Sequence, residues 1–184
     1  MRLILGAFGD PGHAFPIIAL GQELAARGHE ITLQTWQQWS EDVEAGGMRF
    51  APAPEYQAFP TRESPLAPYE AVLVAARETV PLVREVEPDA VVSDILTLAP
   101  ALAGELCGVP WATVIPHVYP VGAPGLPPYS AGARLPRTFA GRRLWTRFDP
   151  AIERGLARGR DELNATRAAL GLPPVDRFHN EREP

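Results

Sequence analysis

One cysteine, Cys107, in 184 residues excludes an internal disulfide, and lysine is missing altogether, so every one of the 17 basic residues is an arginine. The lone thiol falls in an apolar helical stretch, where a small buried side chain with no chemistry of its own is expected. Long hydrophobic runs are missing too. Only Leu3, Ile4 and Leu5 separate Arg2 from Gly6, too few for the core of a signal peptide, and no run approaches the roughly 18 residues needed to cross a bilayer. The expected compartment is the cytoplasm. Acidic residues number 22 and the formal net charge is −5; nothing global argues for nucleic acid or an anionic membrane as the main partner. A phosphate-binding P-loop, zinc-ligand spacing and a G-x-S-x-G elbow are all absent, which leaves phosphate-loop, metal and nucleophilic-triad mechanisms without a foothold. There is neither an internal repeat nor a low-complexity tract.

What the chain does have is 21 prolines and 16 glycines punctuating short apolar segments. At this length it fits one domain, which would bury roughly 70% of its unfolded surface. The organising stretch is Gly6 to Pro16 (GAFGDPGHAFP). An apolar strand, Leu3 to Leu5, delivers the chain to it, and Ile17, Ile18, Leu20, Gly21, Leu24 and Ala25 carry it away at helical spacing until Gly28 stops the helix. Further along, the pattern predicts a second strand over 29–35, a short helix over 40–47 with Ser40 as its cap, and a third strand over 48–51. A helix over 69–87 with a kink or break at Pro81, a strand over 88–94, a helix over 96–107 and a fifth strand over 111–115 complete the alternation. Segments 52–68 and 116–136 are rich in proline and aromatics and carry no defensible period. Residues 138–170 are helical in two pieces divided near Asp149-Pro150. Alternating strands and helices imply parallel pairing, hence an α/β, Rossmann-like doubly wound parallel sheet.

In such a sheet strands one and four adjoin where the winding reverses, and ligands bind outside their carboxyl ends. His13 follows strand one and Asp94 ends strand four, so the two are expected to face one another across one crevice. At a helix start the dipole disfavours imidazolium by about 0.3 to 1 kcal/mol, whereas a neighbouring carboxylate favours it and orients the ring. A histidine balanced in this way is suited to accept a proton as a general base. Each residue taken alone could equally be structural, as a helix cap or a backbone tie. Asp10, in an Asp-Pro-Gly sequence, is read as turn chemistry. Gly6, Gly9 and Gly12 are three apart and strand two ends at Thr35. The dinucleotide fingerprint instead needs G-x-G-x-x-G and an acidic residue at that strand end.

Several segments, taken in this order, resemble one family: Gly12-His13-x-x-Pro16, Arg27-Gly28-His29-Glu30-Ile31-Thr32, Pro88-Asp89 to Ser93-Asp94, Gly108-Val109-Pro110 and Asn164-x-x-Arg167-x-x-Leu170-Gly171-Leu172-Pro173-Pro174. Together they look like the acceptor-binding, N-terminal half of a GT-B inverting glycosyltransferase of the kind that decorates macrolides and other natural products. The resemblance implies that His13 deprotonates an acceptor hydroxyl with support from Asp94. It also implies that the two proline-rich loops line a pocket for an apolar small-molecule acceptor. Phe8, Gly12, Trp36, Phe59, His117 and Tyr119 are then the candidate acceptor-contacting residues, with Trp39 a further wall residue. It implies an acceptor domain over 1–174 and the start of an interdomain linker over 175–184. The expected co-substrate is a nucleotide-sugar, a UDP- or dTDP-sugar, bound mainly by a C-terminal domain that this chain lacks; no other cofactor is implied. The competing expectation is a Rossmann-like module that binds a small molecule without catalysis. From Arg134 to Arg167 nine arginines stand against four acidic residues, which reads as a solvated helix face.

Overall fold

The computed structural model describes residues 1–54, 68–117, 123–128 and 131–176. The chain divides into two compact units, Met1–Pro116 with Thr166–Leu172, and His117–Ala165 with Pro173–Pro184.

The first unit is the α/β fold expected from the sequence. Its strands are β1 (Arg2–Gly6), β2 (Glu30–Thr35), β3 (Arg49–Pro52), β4 (Ala90–Asp94) and β5 (Trp111–Val114), and its helices α1 (Pro11–Ala26), α2 (Ser40–Ala45), α3 (Pro68–Val86) and α4 (Leu98–Leu106). The sheet order is β3-β2-β1-β4-β5, with every pairing parallel. Parallel neighbours require crossover connections, and helices supply them. Because successive side chains of a strand point to opposite faces, Leu3 and Leu5 pack with Ile17, Ile18 and Val43 of α1 and α2. Ile4, between them, packs with Val83 of α3 and Ala103 of α4. The sheet is thus covered on both faces, and Ile4 and Leu5 are fully buried, each worth about 1.5 to 3 kcal/mol relative to exposure.

Four helices of the chain end in one way. Gly28, Gly47, Gly108 and Gly171 have φ between 72° and 85°, and in each case the following amide reaches back five residues: His29 to Leu24, Met48 to Val43, Val109 to Gly104, Leu172 to Arg167. This is the Schellman closure, for which glycine avoids the left-handed penalty of other residues. It accounts for the stop read at Gly28.

Four local expectations are corrected. The helix expected to follow Pro16 begins earlier, at Pro11, and contains Pro16. Asp10 caps it, with Oδ1 accepting from the Gly12 amide at 2.9 Å, and Pro11 takes the first helical position, where the missing N–H costs nothing. Ser40 does not cap α2. It is the first helical residue, reached through a 3-10 turn over Gln37–Trp39, and the N-cap Trp39 makes no side-chain cap bond. Cys107 is half-buried at the C-cap of α4 rather than buried within it. At Pro81 helix α3 continues without a break; its stripe of Val72, Ala75, Ala76, Thr79 and Val83 is buried at helical spacing.

The last turn of the long C-terminal helix, α6 (Asp149–Ala169), and the residues just after it belong to the first unit. There Arg167, 3% exposed, donates two hydrogen bonds to Glu105 of α4 at 2.8 and 2.7 Å, while Leu170 and Leu172 pack with Ala99 and Leu102. Arg167 therefore departs from the solvated face expected for the arginine run. Arg158 keeps to it, exposed and paired with Glu162 one turn on.

The second unit contains α5 (Phe139–Thr146) and most of α6. Thr138 caps α5 through Gly141, the Asp149 carboxylate accepts from the Gly125 amide, and the Asn164 amide exchanges two hydrogen bonds with the backbone of Val175. No helix among the described residues is long and apolar enough to cross a membrane.

Candidate active site

The site forms where β1 and β4 run side by side, Gly6 opposite Ser93. Beyond Gly6 the chain turns through Ala7, Phe8 and Gly9 into the capped start of α1, which brings His13 into the first helical turn. Beyond Ser93 lies Asp94, the last residue of β4 and wholly buried. His13 Nδ1 and Asp94 Oδ1 are 2.8 Å apart. The same oxygen accepts from the Leu96 amide at 3.3 Å and Oδ2 accepts from the Phe8 amide at 3.1 Å. A carboxylate taken out of water needs such partners, and here backbone amides of both strand ends provide them. The His13 side chain is 14% exposed.

With the Nδ1 proton donated to Asp94, the lone pair resides on Nε2, on the other side of the ring. The carboxylate selects that tautomer, fixes the ring plane and stabilises the imidazolium formed when Nε2 takes a proton. A group so held can act as a general base.

Aromatic side chains frame the pair. Phe8 meets His13 edge-on with centroids 6.2 Å apart, and its ring also contacts Trp36 at 5.0 Å. Trp36 is 41% exposed. Phe15, 57% exposed, packs edge-on to Trp39 at 5.0 Å. Gly9 lies so close under the Trp36 ring that a Cβ would have no room. Of the residues expected to contact an acceptor, the structure sets Phe8 against His13, Trp36 against Phe8, and Gly12 next to His13 in the first turn of α1. His117 is half-buried and falls in the second unit. Phe59 and Tyr119, with 55–67 of the first proline-rich loop, lie outside the described residues. A cavity of about 560 Å³ in the second unit is lined by Ala140, Arg143, Leu144, Thr146 and Arg147, none of them expected to meet an acceptor. Sequence reasoning missed Gln38, which reaches the Gly9 carbonyl; no motif or period marks it. Among the described residues no three His, Cys, Asp or Glu side chains gather as a metal site would require.

No protein-family model matches the chain. It is 29% identical over 140 residues to L-demethylnoviosyl transferase of Streptomyces niveus, covering 68% of this chain and 36% of that protein. Against 4'-demethylrebeccamycin synthase of Lentzea aerocolonigenes it is 24% identical over 203 aligned positions, covering 95% of this chain and 46% of that protein. Its relatives are natural-product glycosyltransferases. The fold agrees. The crystal structure of SsfS6, a glycosyltransferase of Streptomyces sp. SF2575, matches with a TM-score of 0.60 at 20% identity, over 95% of this chain and 47% of that one. The chain thus spans less than half the length of the glycosyltransferases it matches, and its sheet is the Rossmann-like domain of the GT-B fold.

Proposed function

We propose that this chain is the acceptor-binding, N-terminal part of an inverting glycosyltransferase and that His13 is its general base. In this reading an apolar small molecule lies against Phe8, Gly12 and Trp36 with a hydroxyl directed at His13 Nε2. As the hydroxyl oxygen forms its bond to the anomeric carbon of the sugar, the bond from that carbon to the diphosphate oxygen breaks. The configuration inverts, the nucleoside diphosphate leaves, and the hydroxyl proton passes to Nε2. Asp94 steadies the imidazolium. The nucleotide-sugar is held mainly by a second, donor-binding domain. A dTDP- or UDP-sugar fits the pattern, and SsfS6 has been crystallised with thymidine diphosphate.

The observation that carries this reading is the 2.8 Å contact of His13 with the buried Asp94 at the switch point of the sheet, where α/β folds bind ligands. The experiment is a transfer assay with a panel of nucleotide-sugars and aromatic or macrocyclic alcohols, run with and without a homologous donor-binding domain added in trans. Sugar transfer that retains the acceptor in the product and depends on His13 supports it. Acceptor binding with no transfer under any pairing would replace it with the non-catalytic module.

A further inference from the structure

We propose that Gln38 and Trp39, in the turn after β2, are positioning residues for the His13–Asp94 pair, acting through the carbonyl of Gly9; their importance for transfer rests on the reading of His13 as the base. The Gly9 oxygen accepts two hydrogen bonds from that turn, from Trp39 Nε1 at 2.8 Å and Gln38 Nε2 at 2.9 Å. Trp36, at the start of the same turn, covers the Gly9 Cα so closely that no side chain fits there, and its ring also meets Phe8. The Trp39 indole is itself held edge-on by Phe15.

Gly9 stands between the two halves of the site. On one side of it the Phe8 amide donates to Asp94 Oδ2. On the other, Asp10 caps the helix whose first turn carries His13. A shift of the Gly9 peptide therefore displaces the carboxylate's backbone partner and the histidine's helix start together. Glycine allows many backbone conformations, so this hinge needs an external hold, and two donors on one oxygen supply it. Because they share one acceptor, either donor alone retains most of the restraint, and their removal is non-additive.

The test reads His13 directly in the full chain. With histidine labelled in 15N, long-range proton–nitrogen correlation reports which ring nitrogen is protonated, and solvent exchange reports how firmly the Hδ1 proton is held. His13→Ala assigns the signal. In the parent chain His13 is expected in the Nδ1–H form with a slowly exchanging proton. In Gln38→Ala/Trp39→Phe that proton should exchange at least tenfold faster, with Nε2–H appearing, whereas each single substitution changes the rate by less than threefold. Trp145→Phe, in the second unit, should change nothing. Gln38 is exposed and phenylalanine keeps a ring at 39. Should the double variant still lose its fold, Gln38→Glu sets a carboxylate against the Gly9 carbonyl and should speed exchange at least threefold. A tautomer and exchange rate within twofold of the parent in the folded double variant, or in Gln38→Glu where that variant stands in for it, would overturn the assignment. No readout depends on sugar transfer, so the positioning role and the transfer reading fail separately.

Discussion

Nδ1 of His13 and Oδ1 of Asp94 lie 2.8 Å apart although the two residues are 81 positions apart in the chain. Their meeting follows from the strand order, since β1 and β4 are neighbours, Asp94 ends β4 and His13 lies in the first turn of the helix that follows β1. The carboxylate is wholly buried and bonded to two backbone amides as well as the ring, so its direction is fixed before any ligand arrives.

Asp94→Asn tests the carboxylate with the shape retained. The amide oxygen can still accept from Phe8, but the amide N–H₂ would face His13 Nδ1 and favour the tautomer with its proton on Nε2. Transfer, measured as kcat with a donor-binding domain present, should fall by about 10²- to 10⁴-fold, with acceptor affinity nearly unchanged.

Arg167→Ala removes the buried partner of Glu105, whose side chain is a quarter exposed, and leaves that carboxylate without its two hydrogen bonds. Destabilisation of about 1 to 3 kcal/mol is expected, against no more than about 0.5 kcal/mol for Arg158→Ala, whose pair with Glu162 is exposed. Urea titration of both variants beside the parent checks the contrast; equal midpoints would deny the pair any structural weight.

Two glycines test different constraints. Gly9→Ala pushes a methyl into the Trp36 ring and should cost about 1 to 3 kcal/mol through overpacking. Gly28→Ala meets open space but must hold φ near 85°, at a cost of about 1 to 2 kcal/mol. Asparagine at 28 should recover part of that loss and at 9 none, which thermal melts of the four variants can separate.

Asp10→Ala removes the N-cap of α1 and should cost about 1 kcal/mol, with Asp10→Ser nearly neutral. Because that cap begins the helix carrying His13, a loss of transfer larger than the loss of stability explains would mean that the helix start also sets the histidine's position.

Much of this arrangement was legible from pattern. Alternating strands and helices at short spacing implied the parallel sheet, the switch point followed from the usual strand order, and His13 and Asp94 followed from the switch point. The misreadings have local causes. Pro11, Gly12 and Pro16 read as turn residues, yet Pro11 occupies a first-turn position whose N–H has no partner within the helix, and Asp10 supplies the cap that makes an early start favourable. Ser40 has the chemistry of a cap, but the 3-10 turn before it runs straight into α2. Arg167 looked like one more solvated arginine because nothing in its own helix marks Glu105, 62 residues away, as its partner. Gln38 was invisible for a similar reason: its contact with Gly9 arises from two loops brought together by the sheet, and such contacts leave no period in the sequence.

The most direct measurement compares the chain and its His13→Ala variant, each supplied with a donor-binding domain, for both sugar transfer and acceptor affinity. The account predicts transfer slower by about 10²- to 10⁴-fold with acceptor binding preserved. Equal turnover in the two proteins would contradict it and leave His13 a structural partner of Asp94.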